Sequence, residues 1–313
     1  MSGFVVEHAG ILTTLQDAGR VGGARYGLTQ GGAADSFAYQ VADVLLEQQS
    51  SCQLEITLGG LQLQALQNMV IAVTGAELPL WCDDAPLAWW RSHRIQAGQR
   101  LHFGMARTGV RSYLAVAGGI RLPKVLGSNS TVLREGVGGI AGKPLQAGQF
   151  LPVKARLLPG CYGLPRSLWP DYTAPLTLRL IPGFQADLFS QSQWQQLMEQ
   201  SYTISAAADR MGYRLTAPQP LLLPAMPLWS EGTVYGAVQC PPDGHPIVLL
   251  NDRQTLGGYP KPGAILPLDA ACLSQRRSGQ SLRFTLLVPT ELPALRASQH
   301  QLWQELRLQL FCC

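Results

Sequence analysis

Charge is scarce in this sequence: only 14% of its 313 residues are Asp, Glu, Lys or Arg. That excludes long solvated helices and charged disordered tails, which both need dense charge. No run of eighteen apolar residues occurs, so no segment reads as a membrane-crossing helix. The start, Met1-Ser2-Gly3-Phe4-Val5-Val6-Glu7, lacks the basic region and apolar core of a secretory signal. The expectation is a cytoplasmic protein that makes no use of a membrane.

Metal and disulfide chemistry are equally thin. The 7 cysteines (Cys52, Cys82, Cys161, Cys240, Cys272, Cys312, Cys313) include no C-x-x-C pair and no histidines at zinc-ligand spacing. They read as reduced thiols, with Cys312-Cys313 frayed and exposed, and no metal site is expected. The 24 basic residues are dispersed, Arg276-Arg277 being the one adjacent pair, and the formal charge is only +4. Nucleic acid is therefore not an expected partner. Gly138-Gly139-Ile140-Ala141-Gly142-Lys143-Pro144 approaches a phosphate loop but has Pro where Ser or Thr is needed. G-x-S-x-G is missing, and the 5 histidines have no evident acidic partner, which argues against a serine-hydrolase triad.

What is present is turn chemistry. With 33 Gly, 22 Pro and 46% hydrophobic residues, the chain reads as a mainly β protein with a few short helices. Short apolar runs (Leu61 to Leu66, Val70 to Val73, Leu101 to Phe103, Tyr113 to Val116) are separated by Gly and Pro, the rhythm of a barrel or sandwich. One phrase recurs: Ala97-Gly98-Gln99, Ala147-Gly148-Gln149 and Ser278-Gly279-Gln280 each lead into an apolar run. A glycine turn entering a strand fits all three, and its return near both ends suggests two lobes of like design. The stretch between Pro152 and Pro175 lacks alternation and reads as a connector. The expected layout is a first lobe at 1–155, a connector at 156–175, a second lobe at 176–290 and a C-terminal helix at 291–313. Helical spacing appears over Ser36 to Glu47 with Asp35 as N-cap, over Asp187 to Gln200, and over Leu292 to Leu310. In the last, Leu295, Leu302, Leu306 and Leu310 form a stripe that could cover a barrel or a partner. Trp81, Trp89 and Trp90 could stack a ring, or simply serve as core and rim residues.

Three segments hold more polar residues than a turn requires. The first contains Gln16, Asp17 and Arg20 and continues to Asp35; Arg20 could hold a carboxylate, or pair with Asp17 to pin a turn. The second, Asp209-Arg210-Met211-Gly212-Tyr213-Arg214, admits a buried ion pair joining strands or a ligand contact at Arg214. In the third, a buried strand at Ile247 to Leu250 delivers Asn251, Asp252, Arg253 and Gln254 into the turn Gly257-Gly258-Tyr259, with Gln239 shortly before it. Asp252 could serve as base or hydrogen-bond acceptor and Gln254 as a reader of an amide.

Several runs, in one order, resemble the family of 5-oxoprolinase C subunits, also known as allophanate hydrolase subunit 2 or as the antagonist of the Kip kinase inhibitor. They include Gly10 to Arg20, Ala72-Val73-Thr74-Gly75-Ala76, Arg111 to Gly119, Leu126 to Thr131, Asp209 to Leu215 and Pro246 to Tyr259. The resemblance implies two tandem cyclophilin-like β-barrels and kinship with part of the carboxyltransferase domain of urea carboxylase. For activity it implies ATP-dependent opening of 5-oxoproline to L-glutamate by a complex with the A and B subunits of 5-oxoprolinase, the B subunit being the closest associate. Under it, Asp252, Arg253 and Gln254 stand as catalytic candidates. Gln16, Asp17, Arg20, Asp35, Arg214, Gln239, Gly257, Gly258 and Tyr259 stand as substrate-binding candidates for a small amide or lactam. ATP belongs to the complex, and no cofactor is expected on this chain by itself. Thr29-Gln30-Gly31-Gly32-Ala33-Ala34-Asp35 replaces the family's more Pro- and Ser-containing turn ending in Ala-Met-Asp, which puts the first-lobe loop in question as a substrate contact.

Two other readings remain open. One is a carboxyltransferase component of a biotin-dependent urea or amide carboxylase, with biotin and ATP handled by other chains. The other is a non-enzymatic regulator that binds a kinase-inhibitor protein resembling the B subunit.

Overall fold

Strand Leu61–Ala65 buries Leu61, Leu63 and Ala65 and leaves Gln62 and Gln64 half-buried, the two-residue period of a sheet with one face in a core. The computed structural model describes residues 2–223 and 228–312. Two units divide the chain, the first comprising Met1–Gly23, Gln30–Thr173 and Gln301–Cys313, the second Ala24–Thr29 and Ala174–His300.

In the first unit a six-stranded sheet runs in the order Phe150–Pro152, Gly3–Ala9, Leu61–Ala65, Arg100–Phe103, Leu80–Cys82, Ala85–Pro86. A seven-stranded sheet runs Leu12–Gln16, Gln53–Thr57, Thr108–Val116, Met69–Glu77, Arg91–Ile95, Tyr162–Gly163, Phe311–Cys312. Phe4, Val6, Leu63 and Phe103 from the first meet Leu15, Ile56, Ile71 and Leu114 from the second in one core. The opposite face of the seven-stranded sheet carries Val70, Ala72, Tyr113 and Ala115 against helix Ser36–Val44. Its two central strands are thus buried on both sides, which is why their sequence runs apolar without alternation. The resemblance implied a closed barrel here; among the described residues the strands group into these two sheets around one core.

The second unit does close. Its barrel order is Leu176–Pro182, Gly263–Ile265, Ala237–Gln239, Ile247–Leu249, Gly212–Thr216, Tyr202–Ala208, Ser281–Leu286, and the ends join by parallel pairing from Leu176↔Leu282 to Leu180↔Leu286. Leu178, Tyr202, Ile204, Leu215, Val238, Val248 and Phe284 fill the interior. A two-stranded ribbon, Glu231–Gly232 with Leu256–Gly257, lies outside the barrel order.

The recurring Gly-Gln phrase is a local device. Gly98, Gly148 and Gly279 all have positive φ (91°, 83° and 87°). In each case the following glutamine accepts, through its side-chain oxygen, the backbone N–H three residues earlier: Gln99 from Gln96 at 2.8 Å, Gln149 from Gln146 at 3.0 Å, Gln280 from Arg277 at 2.7 Å. The same turn serves both units, so it specifies how a strand is entered, not which sheet architecture forms beyond it.

Helix Ser36–Val44 begins at Asp35, whose Oδ1 accepts from Ala38 N at 3.0 Å. Helix Gln191–Glu199 is closed at its start by a Ser190/Gln193 capping box. A helix at Pro267–Ser274 has no periodic signal in the sequence. In the last helix, Leu292–Leu308, Leu306 is buried and Leu302 packs beside it, as does Leu310 just beyond; all three join the first unit's own core. Most of the stripe offered for a partner is therefore already covered. Among the described residues no helix is long and apolar enough to cross a membrane.

Candidate functional site

The first polar segment turns inward. Strand Leu12–Gln16 ends at Asp17, whose carboxylate accepts from Ser128 Oγ, Ser130 Oγ and Asn129 N at 2.6 Å each, and from Gly19 N at 2.9 Å. Burial alone would raise the pKa of Asp17, but these four donors outweigh it and hold the carboxyl below its ordinary value. Arg20, 1% exposed, donates to the carbonyls of Val125 and Ser130 at 3.0 Å each. Gln16 Nε2 reaches the Thr131 carbonyl at 3.0 Å. Asp35, besides capping its helix, accepts from Tyr172 OH at 2.6 Å. Gln16, Asp17 and Arg20 thus fasten the 125–131 loop, and Asp35 fastens a helix. Ser128 and Ser130, which entered the sequence reading only within the Leu126 to Thr131 run and not as site candidates, supply two of the four donors to Asp17.

The second segment supplies an ion pair. Arg210 donates from Nε and Nη2 to the two oxygens of Asp252, both at 2.9 Å, and the pair is almost fully buried. Asp209, expected beside Arg210, instead caps its own turn by accepting from Met211 N at 2.7 Å. Arg214 is bonded to Asp243 in a half-exposed pair. Asp252, offered as a base, therefore has both carboxylate oxygens engaged, and it holds the start of the loop in place. Arg214, the preferred ligand contact in that segment, faces a carboxylate of the protein.

The residues just past Asp252 differ in kind. Arg253 is half-buried; its guanidinium donates hydrogen bonds to two backbone carbonyls, Thr233 O and Leu250 O, at 3.3 Å each, and interacts electrostatically with Tyr235. Burial lowers its pKa, the mark of a desolvated cation. The Arg253 carbonyl accepts from Thr29 Oγ1 at 3.1 Å. Thr233 also donates its hydroxyl to the Gln254 carbonyl, so both residues are seated on one threonine. Gln254 Nε2 reaches Gln239 Oε1 at 3.4 Å. Gln239 projects from the barrel strand Ala237–Gln239, is 1% exposed, and its Nε2 has no hydrogen-bond acceptor among the described residues. Gly257 lies against that nitrogen: a Cβ there would be 2.5 Å from Nε2 and 3.2 Å from the Thr233 methyl.

The turn is braced from outside. Lys261 Nζ pairs with Glu231 at 3.0 Å and reaches the Tyr259 carbonyl at 3.1 Å, while Gln185 bridges Glu231 and the Lys261 N–H. Gly258 adjoins Ser230 and the Leu228 carbonyl, and the Tyr259 ring is exposed. Thr233, Lys261 and Glu231 gave no signal in the sequence because they are single polar residues whose role comes from contacts across the barrel rim. Arg253, Gln254, Gln239 and Gly257 are thus brought together in the second unit, whereas Gln16, Asp17, Arg20 and Asp35 belong to the first. Separately, a cleft of about 450 Å3 in the first unit is walled by Trp89, Trp90, Trp169 and Tyr172. Among the described residues, no three His, Cys, Asp or Glu side chains converge to hold a metal ion.

A half-buried guanidinium and, in the same unit, a buried carboxamide N–H without an acceptor among the described residues suit an oxygen-rich, carboxyl- or amide-bearing ligand. Residues 26–286 match the carboxyltransferase domain, subdomain A and B, and the chain belongs to that family. Within it, the chain is 36% identical over 290 residues to the C subunit of 5-oxoprolinase from Haemophilus influenzae, covering 90% of this chain and 91% of that protein. It is also 36% identical over 307 residues to the C subunit of 5-oxoprolinase from Escherichia coli, covering 96% and 97%. The crystal structure of Kluyveromyces lactis urea carboxylase matches 96% of this chain with a TM-score of 0.86 at 27% identity; the chain spans 28% of that longer protein.

Proposed function

We propose that this chain is one component of a complex that opens 5-oxoproline to L-glutamate at the expense of ATP, and that the Arg253 loop of its second unit binds the ring. The observation that carries the reading is the Arg253 guanidinium, half-buried and, among the described residues, hydrogen-bonded to neutral backbone carbonyls and to no carboxylate. A cation in that state gains most from an anionic ligand, because the charge is already partly stripped of water. 5-Oxoproline is a lactam bearing one carboxylate. Water adds across its ring C–N bond, and a second water is consumed in cleaving ATP to ADP and phosphate. A resonance-stabilised amide resists this until its carbonyl is made more electrophilic, which is the reason for coupling to ATP. This chain supplies recognition: Arg253 for the carboxylate, Gln254 and Gln239 for the amide, and Asp252 as the anchor of the loop. ATP is assigned to the complex with the A and B partners, not to a site on this chain. Likeness to the 5-oxoprolinase C subunits of two bacteria over nearly their whole length supports the reading.

The test is reconstitution. Co-purified with its A and B partners, the chain is expected to give ADP release that depends on 5-oxoproline. No such dependence, in a preparation where the Escherichia coli complex is active, overturns the reading. The likeness to urea carboxylase supports a second one, carboxyl transfer from biotin to an amide. That reading predicts turnover blocked by avidin, which the first does not.

A further inference from the structure

Gln239 is an anomaly in the second unit. A side-chain amide at 1% exposure with a donor that meets no acceptor among the described residues is less stable than a satisfied one, because the lost hydration of that N–H is not replaced. Strand positions facing a barrel rim are easily filled by Leu or Val, so a structural role alone gives no reason to leave that N–H idle. Its surroundings are arranged around it. Gln254 holds Oε1 at 3.4 Å, which orients the amide so that Nε2 lies on the side of Gly257. Gly257 does not have a positive φ, so its lack of a side chain is not a demand of the turn. A Cβ there would meet Nε2 at 2.5 Å, so the Gln239 amide would have to shift to admit it. Thr233 ties the two ends together: its carbonyl meets Arg253 Nε at 3.3 Å and its methyl faces the place of that missing Cβ at 3.2 Å.

We propose that Gln239 Nε2 and the Arg253 guanidinium form a two-point receptor for a carboxylate-bearing cyclic amide, Gln239 donating to the ring carbonyl oxygen and Arg253 taking the carboxylate. The inference rests on the functional reading above and assigns which group recognises which end of the ligand. A donor on the carbonyl oxygen also stabilises the negative charge that gathers there when the ring opens. Gly257 is then a positioning residue, kept bare so that the amide stays aimed.

Calorimetric titration of the assembled complex with three probes separates the roles: 5-oxoproline, proline (the same carboxylate without the ring carbonyl) and 2-pyrrolidinone (the carbonyl without the carboxylate). The wild-type complex is expected to bind 5-oxoproline more tightly than either. Gln239→Leu should weaken 5-oxoproline about tenfold, leave proline unchanged, and lose no thermal stability, because an unsatisfied amide is replaced by an apolar group of similar size. Gly257→Ala should do the same to 5-oxoproline. Arg253→Met should weaken 5-oxoproline and leave 2-pyrrolidinone unchanged. The receptor is overturned if Gln239→Leu binds 5-oxoproline as the wild type does, or if it loses proline and 5-oxoproline equally. The two ideas fail separately. Wild-type turnover that Gln239→Leu leaves intact in KM and kcat sinks the receptor and keeps the activity; the expected binding pattern without ATP turnover keeps the receptor and sinks the activity.

Discussion

Arg210 and Asp252 meet through two parallel hydrogen bonds of 2.9 Å, buried at the point where the loop of the second unit leaves its strand. Neither residue adjoins the other in sequence, and the contact fixes Asp252 as the hinge pin on which Arg253 and Gln254 depend. Removing one partner leaves the other charge buried and unanswered. Asp252→Ala should therefore destabilise the fold by about 3–5 kcal/mol, while the double change Arg210→Met with Asp252→Leu should recover most of the loss. Denaturant unfolding of wild type, the two single variants and the double variant measures both. A single substitution costing under about 1 kcal/mol would falsify the anchoring role.

Acid should loosen the first unit through Asp17. Its folded-state pKa lies below the ordinary value of 3.8 because Ser128, Ser130, Asn129 and Gly19 donate to it against the opposing effect of burial. A depressed carboxyl contributes stability that is complete above the unfolded-state pKa and is lost as pH falls through the folded-state value. Stability should thus be flat in this contribution near neutrality and decline below about pH 4. Asp17→Asn should be less stable at pH 7 and show a shallower decline in acid. Equal slopes for the two proteins would remove Asp17 from the account.

The Arg253 guanidinium cannot be replaced by another cation. Its planar fork suits a carboxylate, and a lysine in the same place offers a single, strongly hydrated point of charge. Arg253→Lys should reduce kcat/KM for 5-oxoproline by roughly a hundredfold, with assembly unchanged by size-exclusion chromatography, since a charged hydrogen-bonded contact is worth about 1.5–3 kcal/mol. Retention of full turnover would place the carboxylate elsewhere.

Thiol labelling should divide the cysteines by depth. Burial pushes Cys240 up to about 12 and moves Cys52 in the same direction, with Asp17 adding to the effect on Cys52. Cys312 is exposed; Cys313 lies outside the described residues. At pH 8 in native buffer, mass spectrometry should find Cys312 alkylated first and Cys52 and Cys240 slower by on the order of a thousandfold, until denaturant is added. Rapid native labelling of Cys240 would contradict the sealed barrel interior.

Much of the fold was legible because it is local. The Ser36 helix with Asp35 as its cap, and the three Gly-Gln turns, arise from hydrogen bonds within three residues of sequence. The helix at Pro267–Ser274 was not, because Asp269, Ala270 and Leu273 are all buried and its surroundings leave no polar face to give a period. Of the polar segments, the sequence drew attention to the loop at 251–259, but the contacts made within it were not legible there. Asp252 looked like the reactive group, and its engagement by Arg210, 42 positions earlier, could only be seen in three dimensions.

Composition, turn residues and the spacing of apolar positions determined by themselves that this would be a β-rich protein with glycine-built strand entries and few helices, since each of those signals acts over a handful of neighbouring residues. Tertiary structure alone decided that the seven strands of the second unit close into a barrel. It also decided that Asp17, Arg20 and Asp252 brace the fold, and that the Gln239 side-chain N–H is buried without an acceptor among the described residues. The physical reason is that a charged or amide side chain is committed or free according to the partner that burial brings to it, and those partners come from strands far apart in the chain.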